Sequence, residues 1–489
     1  MDKKIKQFDY VFIFCLLAYT VLHVFSWADN PPDVDPINFT MALEYYDVST
    51  DRPHPPGYPL YVGLAKCADN LVGALHAYQL VNLLMLILAS LSIYYTCKRF
   101  GYALVGFGAV FILLTHPMVL AATLVAETYF SDALFGCLMV SLIMLAKDKH
   151  HTQLIGVIIL FFLLGLFRAV SCFELIPLAL SCIYISTKEK RLRKTVITLI
   201  GILVSVIMSY LLTIYLAGGY IIYSQAVARV MGAAFSSSSI FAGAEFTAHF
   251  SMLTKLVFWL LFVSIPTVLV ACLILKKYQL KQLITTKSLK TYFIFLSWVL
   301  PPLSVFSLFY FLKPTYLLII LVPIIVMFSL GTFYVLKNKD YLYTLAVIFI
   351  FATLQLGFFY GGSNDLPKPF YRLTYAHNKH KDFLWAELKS LLKQNNNSKT
   401  LLIWDPNYDL PIYAMRLTQW DGVVAITEAK NIDHLKSAHL RDVLVAVVDP
   451  KLMKWSQPKK LSEINKVEQM LILDAKNNTL SYTKIKIIN

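Results

Sequence analysis

Two runs near the start of this chain combine residue types that move protons and hold anions. Asp35-Pro36-Ile37-Asn38-Phe39-Thr40-Met41-Ala42-Leu43-Glu44-Tyr45-Tyr46 opens on a carboxylate. Asp followed by Pro suits the start of a helix, with Asp as the N-cap and Pro at the first helical position. The same carboxylate, fixed at a helix start beside a membrane, could take a proton from a hydroxyl, and the two readings are compatible. Further on, His54-Pro55-Pro56-Gly57-Tyr58-Pro59-Leu60-Tyr61 places three prolines, a glycine and two tyrosines in eight residues. Such a run is a rigid turn that delivers the chain into the next helix. A turn does not need the imidazole of His54.

Three later segments carry isolated ionisable groups in apolar surroundings. Ala126-Glu127-Thr128-Tyr129 sits where one apolar stretch hands over to the next, and its carboxylate also suits a helix N-terminus. Arg168 and Glu174 fall near the turn of a later apolar hairpin; six residues apart, they do not share a helix face. Lys313-Pro314-Thr315-Tyr316-Leu317 opens another apolar stretch, where Lys313 also suits an interfacial anchor.

The elements that must position these groups are membrane helices. The 489 residues are 57% hydrophobic and only 15% charged, with mean hydropathy +0.61, which no soluble fold could hide. Apolar stretches of about 17 to 25 residues are long enough to cross a bilayer core. They predict eleven spans near 9–27, 77–97, 101–118, 128–146, 153–168, 170–187, 195–216, 254–275, 291–312, 315–336 and 341–360. The first reads as a retained anchor rather than a cleaved signal peptide, because its apolar run is long and Trp27 suits an interface. Such a chain is a polytopic α-helical membrane protein.

A net charge of +15 could suggest nucleic acid, but the positions of the charges argue against it. With the N-terminus inside, Lys3, Lys4, Lys6, Lys98, Arg99, Lys147, Lys149, the 188–194 cluster, Lys276, Lys277, Lys281, Lys287, Lys290, Lys337 and Lys339 all fall in inner loops. Up to residue 360 the other side carries only Arg52, Lys66, Arg168, Arg229, Lys255 and Lys313. The basic balance is therefore the positive-inside rule, and no nucleic acid is implied. The same topology gathers Asp35, His54, Glu127, Arg168 and Lys313 at one membrane face. Carboxylates and cations together at a bilayer surface suit a lipid-phosphate substrate.

Between the spans, the outer loop 28–76 is the longest and is acidic, and the loop from 217 to about 253 contains an amphipathic stretch, Tyr223 to Phe235, suited to the interface. Beyond Tyr360 the hydropathy drops. Short β runs at Leu401–Trp404, Val423–Ile426, Val443–Val448 and Met470–Leu473 alternate with helical stretches near 379–393, 410–417 and 429–438, predicting a small outer α/β domain over 361–489 behind a membrane domain over 1–360. No phosphate-binding glycine loop, metal-spaced Cys/His set or internal repeat is present, and the cysteines imply no disulfide framework. The acidic first loop permits a divalent cation, but no ligand spacing demands one.

Asp35, the stretch that follows it and His54 through Pro59 resemble the first outer loop of the GT-C glycosyltransferases, in particular the branch related to protein O-mannosyltransferases. The likeness extends to Ala126, Glu127 and Tyr129 and to Lys313 through Leu318, and covers about residues 1–360. It implies an inverting transfer of a sugar from a polyprenyl-phosphate donor to a glycan, lipid or protein acceptor outside the cytoplasm. Asp35 would be the general base. His54, Arg168 and Lys313 would meet the donor phosphate, and Tyr58, Glu127, Tyr129 and Tyr316 would line the substrate site. Related loops often carry a second acid three positions after the first, where this chain has Asn38.

Two other classes use similar architectures. A lipid-linked glycan ligase or polymerase is expected to place its working loop late in the chain, whereas the charged loop here is the first. A transporter or flippase is expected to place ionisable groups near the bilayer midplane, often in inverted repeats.

Overall fold

The computed structural model describes residues 2–31, 34–146, 149–187, 189–277, 286–336, 341–363 and 365–395, and beyond them the backbone of the strands between 400 and 486. Two compact units divide the chain: Met1–Trp27 with Asn38–Ala376, and Ala28–Ile37 with His377–Asn489. Short helix α2 (Val34–Glu44) crosses that division after Ile37. The segment Ala28–Ile37, which contains Asp35, is thus grouped with the residues from His377 onward.

In the first unit, α1 (Asp2–Phe25) precedes α2, and α3 (Pro59–Val72) and α4 (Ala74–Arg99) follow the proline run. Next come α5 (Ala103–Thr115), α6 (Pro117–Thr123) and α7 (Phe130–Leu145). Pro117 cannot continue the α5 hydrogen-bond ladder, so α5 and α6 meet at a 60° bend, where His116 Nδ1 accepts from the Met118 amide at 3.2 Å. Helix α8 (His150–Ser186) spans 37 residues with one extended residue inside it, Arg168. Straight, it would place Gln153 and Ser186 about 50 Å apart. Instead Gln153 Nε2 donates to Ser186 Oγ at 3.0 Å, and Cys172 Sγ lies 3.8 Å from the Phe161 carbonyl oxygen. The helix is folded back on itself at Arg168, and its halves match the predicted spans 153–168 and 170–187.

Helices α9 (Arg191–Leu216), α10 (Tyr220–Ser236), α11 (Phe246–Lys277), α12 (Thr286–Leu308), α13 (Leu318–Val335) and α14 (Tyr341–Gly361) follow, with a 3-10 turn at Pro314–Leu317 ahead of α13. Among the described residues, eight helices are long and apolar enough to cross a membrane, or nine if α5 and α6 form one bent span. The prediction was eleven. The difference comes from α7, short at 16 residues, and from α8, whose two folded-back halves are counted together. Many apolar side chains on these helices are exposed, as on Phe14, Leu17, Ile200, Leu211, Leu269 and Phe349, which suits lipid contact rather than water. The chain is an integral multi-pass membrane protein.

α15 (Lys368–Tyr371) closes the first unit, and α16 (Tyr375–Asn395) leads into the second, burying Leu384, Leu388 and Leu391 at helical spacing. Beyond α16, β1 (Thr400–Trp404) is parallel to both β2 (Val423–Ile426) and β6 (Gln469–Lys476). β3 (Leu444–Asp449) pairs antiparallel with β2, and β7 (Thr479–Lys486) with β6. Two short strands, β4 (Lys454–Trp455) and β5 (Lys459–Lys460), pair with β3. The four expected β runs fall on β1, β2, β3 and β6, and the helical stretch near 379–393 falls on α16. The stretches near 410–417 and 429–438 lie outside the described residues.

Candidate active site

The proline run is rigid for visible reasons. Gly57 has φ +103°, and a Cβ there would meet Tyr46 Oη at 2.5 Å and Val48 Cγ2 at 3.1 Å, so glycine alone fits. Tyr58 is also left-handed, at φ 49°, and this turns its phenol back to His54 Nε2 at 3.0 Å before Pro59 starts α3. Phe39 packs edge-on against His54, Tyr58 and Tyr61, with centroids 5.5, 5.2 and 5.1 Å away. An aromatic bed thus holds the imidazole one step from Tyr61.

Tyr61 leads to the second segment. Its hydroxyl lies 3.1 Å from Asn82 Oδ1 and 3.2 Å from the Glu127 carbonyl oxygen. Residues 124–129 are irregular between α6 and α7 and buried, and buried irregular backbone must find partners for its polar groups. Fully buried amides of α4 provide them: Gln79 Nε2 donates to the Leu124 carbonyl at 2.7 Å, and Asn82 Nδ2 to that of Val125 at 2.6 Å. With its backbone held, Glu127 presents its carboxylate to Lys313 Nζ at 3.1 Å.

Arg168 meets the same cluster from the α8 turn. Its guanidinium lies 4.7 Å from the Tyr129 ring centroid and 5.6 Å from that of Tyr316, rings themselves 4.8 Å apart, while Lys313 Nζ is 5.9 Å from Tyr129. Asp132, one turn after Tyr129, forms an ion pair with Arg168 and accepts from Ser171 Oγ at 2.5 Å. Pairing is what makes buried charge tolerable there.

Of the residues predicted for the site, His54, Tyr58, Glu127, Tyr129, Arg168, Lys313 and Tyr316 thus form one connected set within the first unit. Asp35 stands in the first turn of α2 rather than at its N-cap, a shift of one or two residues, and belongs to the second unit. Asn38 is buried. Sequence reading missed Asp132, Ser171, Tyr61, Gln79 and Asn82. For Asp132 the signal was available, an ionisable residue inside a predicted span. Among the described residues, no group of three or more His, Cys, Asp or Glu is placed to hold a metal ion.

A cavity of about 330 Å³ lies alongside α13, lined by Phe262, Val263, Leu321, Ile325 and Phe328 with only a few polar groups, among them His116 and Gln355. Its α13 residues begin one to two turns beyond Tyr316 and continue to Phe328.

No protein-family model matches the chain, and no curated protein matches it. Solved structures do match. ArnT from Cupriavidus metallidurans bound to undecaprenyl phosphate superposes with a TM-score of 0.53 at 10% identity, covering 90% of this chain and 97% of that one. The same protein in its apo state gives 0.51 at 11% identity, covering 93% and 100%. At such identity the likeness shows a shared fold over nearly the whole length of both chains.

Proposed function

We propose that this chain, with the fold of ArnT, is a GT-C-type glycosyltransferase that moves a sugar from a polyprenyl-phosphate donor to an acceptor outside the cytoplasm. The carrying observation is the connected set His54–Tyr58, Glu127–Lys313 and Arg168–Tyr129–Tyr316, built from segments remote in sequence. Two independent supports agree: the loop resembles that of enzymes using polyprenyl-phosphate sugars, and the ArnT structure was solved with undecaprenyl phosphate. The mannosyltransferase-related motifs favour that branch.

In this reading the membrane is crossed eleven times, counting α5–α6 as one bent span, α7 as a short one and α8 as two. The lysine distribution puts the N-terminus in the cytoplasm and residues 361–489, as an α/β domain, outside. The isoprenoid chain lies in the cavity along α13, with its phosphate near Lys313.

Asp35 takes the proton from an acceptor hydroxyl or amine as that oxygen or nitrogen attacks the anomeric carbon. The bond from that carbon to the phosphate oxygen breaks, and polyprenyl phosphate leaves with the bonding pair. Lys313 and His54 meet the growing phosphate charge. Lys313 suits this better than Arg168, since its side chain is 29% exposed against 9%. Arg168 holds Tyr129 and Tyr316 in place as the wall of the sugar site.

The test is sugar transfer from a polyprenyl-phosphate sugar by the purified protein and its Asp35→Asn variant. General-base help is worth about 10² to 10⁴ in rate, and the variant should lose that much. Equal rates in a folded variant would remove Asp35 from the mechanism.

A further inference from the structure

The segment that leads to Asp35 is held from the far end of the chain. Asp382 on α16 is 9% exposed, and its Oδ1 accepts from the Asn30 backbone amide at 2.8 Å and from Asn30 Nδ2 at 3.4 Å. Beside it, Lys379 Nζ lies 3.6 Å from Asp382 Oδ2 and 3.9 Å from Asp29 Oδ2. These contacts join residues about 350 apart in sequence, all within the second unit. Burial lifts the Asp382 carboxyl above the usual carboxylate range, while the Asn30 and Asp29 amides and Lys379 act in the other direction.

The anchor lies a few residues ahead of α2 in the sequence. Asn30 is followed by Pro31-Pro32 and, after Asp33, by Val34-Asp35-Pro36. Each proline fixes its φ and has no amide hydrogen. Five residues span at most about 18 Å, so Asn30 lies within that reach of Asp35 along the chain. On the other side of the anchor, Ser26 Oγ lies 2.7 Å from Tyr360 Oη and Trp27 Nε1 donates to His23 Nδ1 at 3.1 Å, which fixes the end of α1.

We propose that Asp382 is a positioning residue for Asp35, clamping the Asn30 amide at the head of the segment that enters α2. The inference rests on the glycosyltransferase reading for the role of Asp35, but the clamp can be measured without it. A misplacement of about 1 Å in such a site costs on the order of 10²-fold in rate.

The experiment compares wild type with Asp382→Ala, Asp382→Asn, Asp382→Glu and, as a control on the same helix, Glu387→Ala, all as full-length protein in detergent micelles. Hydrogen–deuterium exchange of the peptide covering 28–37 reads the clamp; kcat and KM for a polyprenyl-phosphate sugar read its consequence. Asp382→Ala should raise exchange in 28–37 at least about tenfold with protection over 384–391 kept, and lower kcat by about ten- to a hundredfold with KM within about twofold. Asn, which keeps the Oδ1 acceptor, should retain most of kcat, and Glu, which displaces the carboxylate by one methylene, should fall between. Should Asp382→Ala fail to fold, the contrast between Asn and Glu decides the point.

Unchanged exchange in 28–37 overturns the clamp. Raised exchange with unchanged kcat overturns the positioning role. A folded wild type that transfers no sugar overturns the glycosyltransferase reading, and the positioning role with it, while the exchange data still decide whether the clamp exists.

Discussion

Removing Asp132 while keeping Arg168 leaves a buried guanidinium without its carboxylate, and the size of the effect follows from the burial. The two side chains are 3% and 9% exposed, too little for water to replace the lost partner. Breaking a pair of this kind costs about 3–5 kcal/mol. Ser171, whose hydroxyl now donates to Asp132 Oδ1, loses its acceptor in the same step. Replacing both charges, as in Asp132→Leu with Arg168→Met, should recover most of that loss, because two apolar side chains of similar volume cost little where a buried pair stood. Chemical unfolding of the three proteins in mixed micelles measures the stabilities, and sugar transfer is followed in parallel. The double variant should regain stability but not transfer, since Met offers no cation to hold Tyr129 and Tyr316. A single Asp132→Ala variant within about 1 kcal/mol of wild type would refute the buried pair. A double variant with full transfer would leave Arg168 with a structural role only.

Lys313→Met keeps the apolar stem but removes the charge, and should lower kcat at saturating donor by about 10²–10³, the scale of one lost electrostatic contact to a developing anion; Lys313→Arg should recover part of it, and an unaffected kcat would move the phosphate elsewhere. Ile325→Trp narrows the cavity beside α13. Displacing about two buried CH₂ groups of isoprenoid at about 0.8 kcal/mol each should raise KM about tenfold for a long-chain donor and leave a short-chain donor unchanged, which a chain-length series of donors checks.

The parts of this architecture that sequence makes visible are those whose cause is local. Long apolar runs require helices, and the span limits come from them. His54 through Pro59 announces a rigid turn because Gly57 has no alternative at its φ and in its space. The hidden parts depend on partners distant in sequence. Asp132 gains meaning only when the α8 turn brings Arg168 and Ser171 to it, and Gln79 and Asn82 look like ordinary polar interruptions of a span until the irregular stretch at 124–129 requires their amides. Asp35 shows both kinds at once. Its place at a helix start is written in Asp35-Pro36, while the bond that secures the segment before it runs to a residue on a helix beyond the last apolar stretch. A general base of the kind proposed for Asp35 must be held within a fraction of an ångström, and prolines restrict a chain's dihedrals without fixing its position. In the proposed mechanism, the Asn30–Asp382 contact is one such hold from outside the loop.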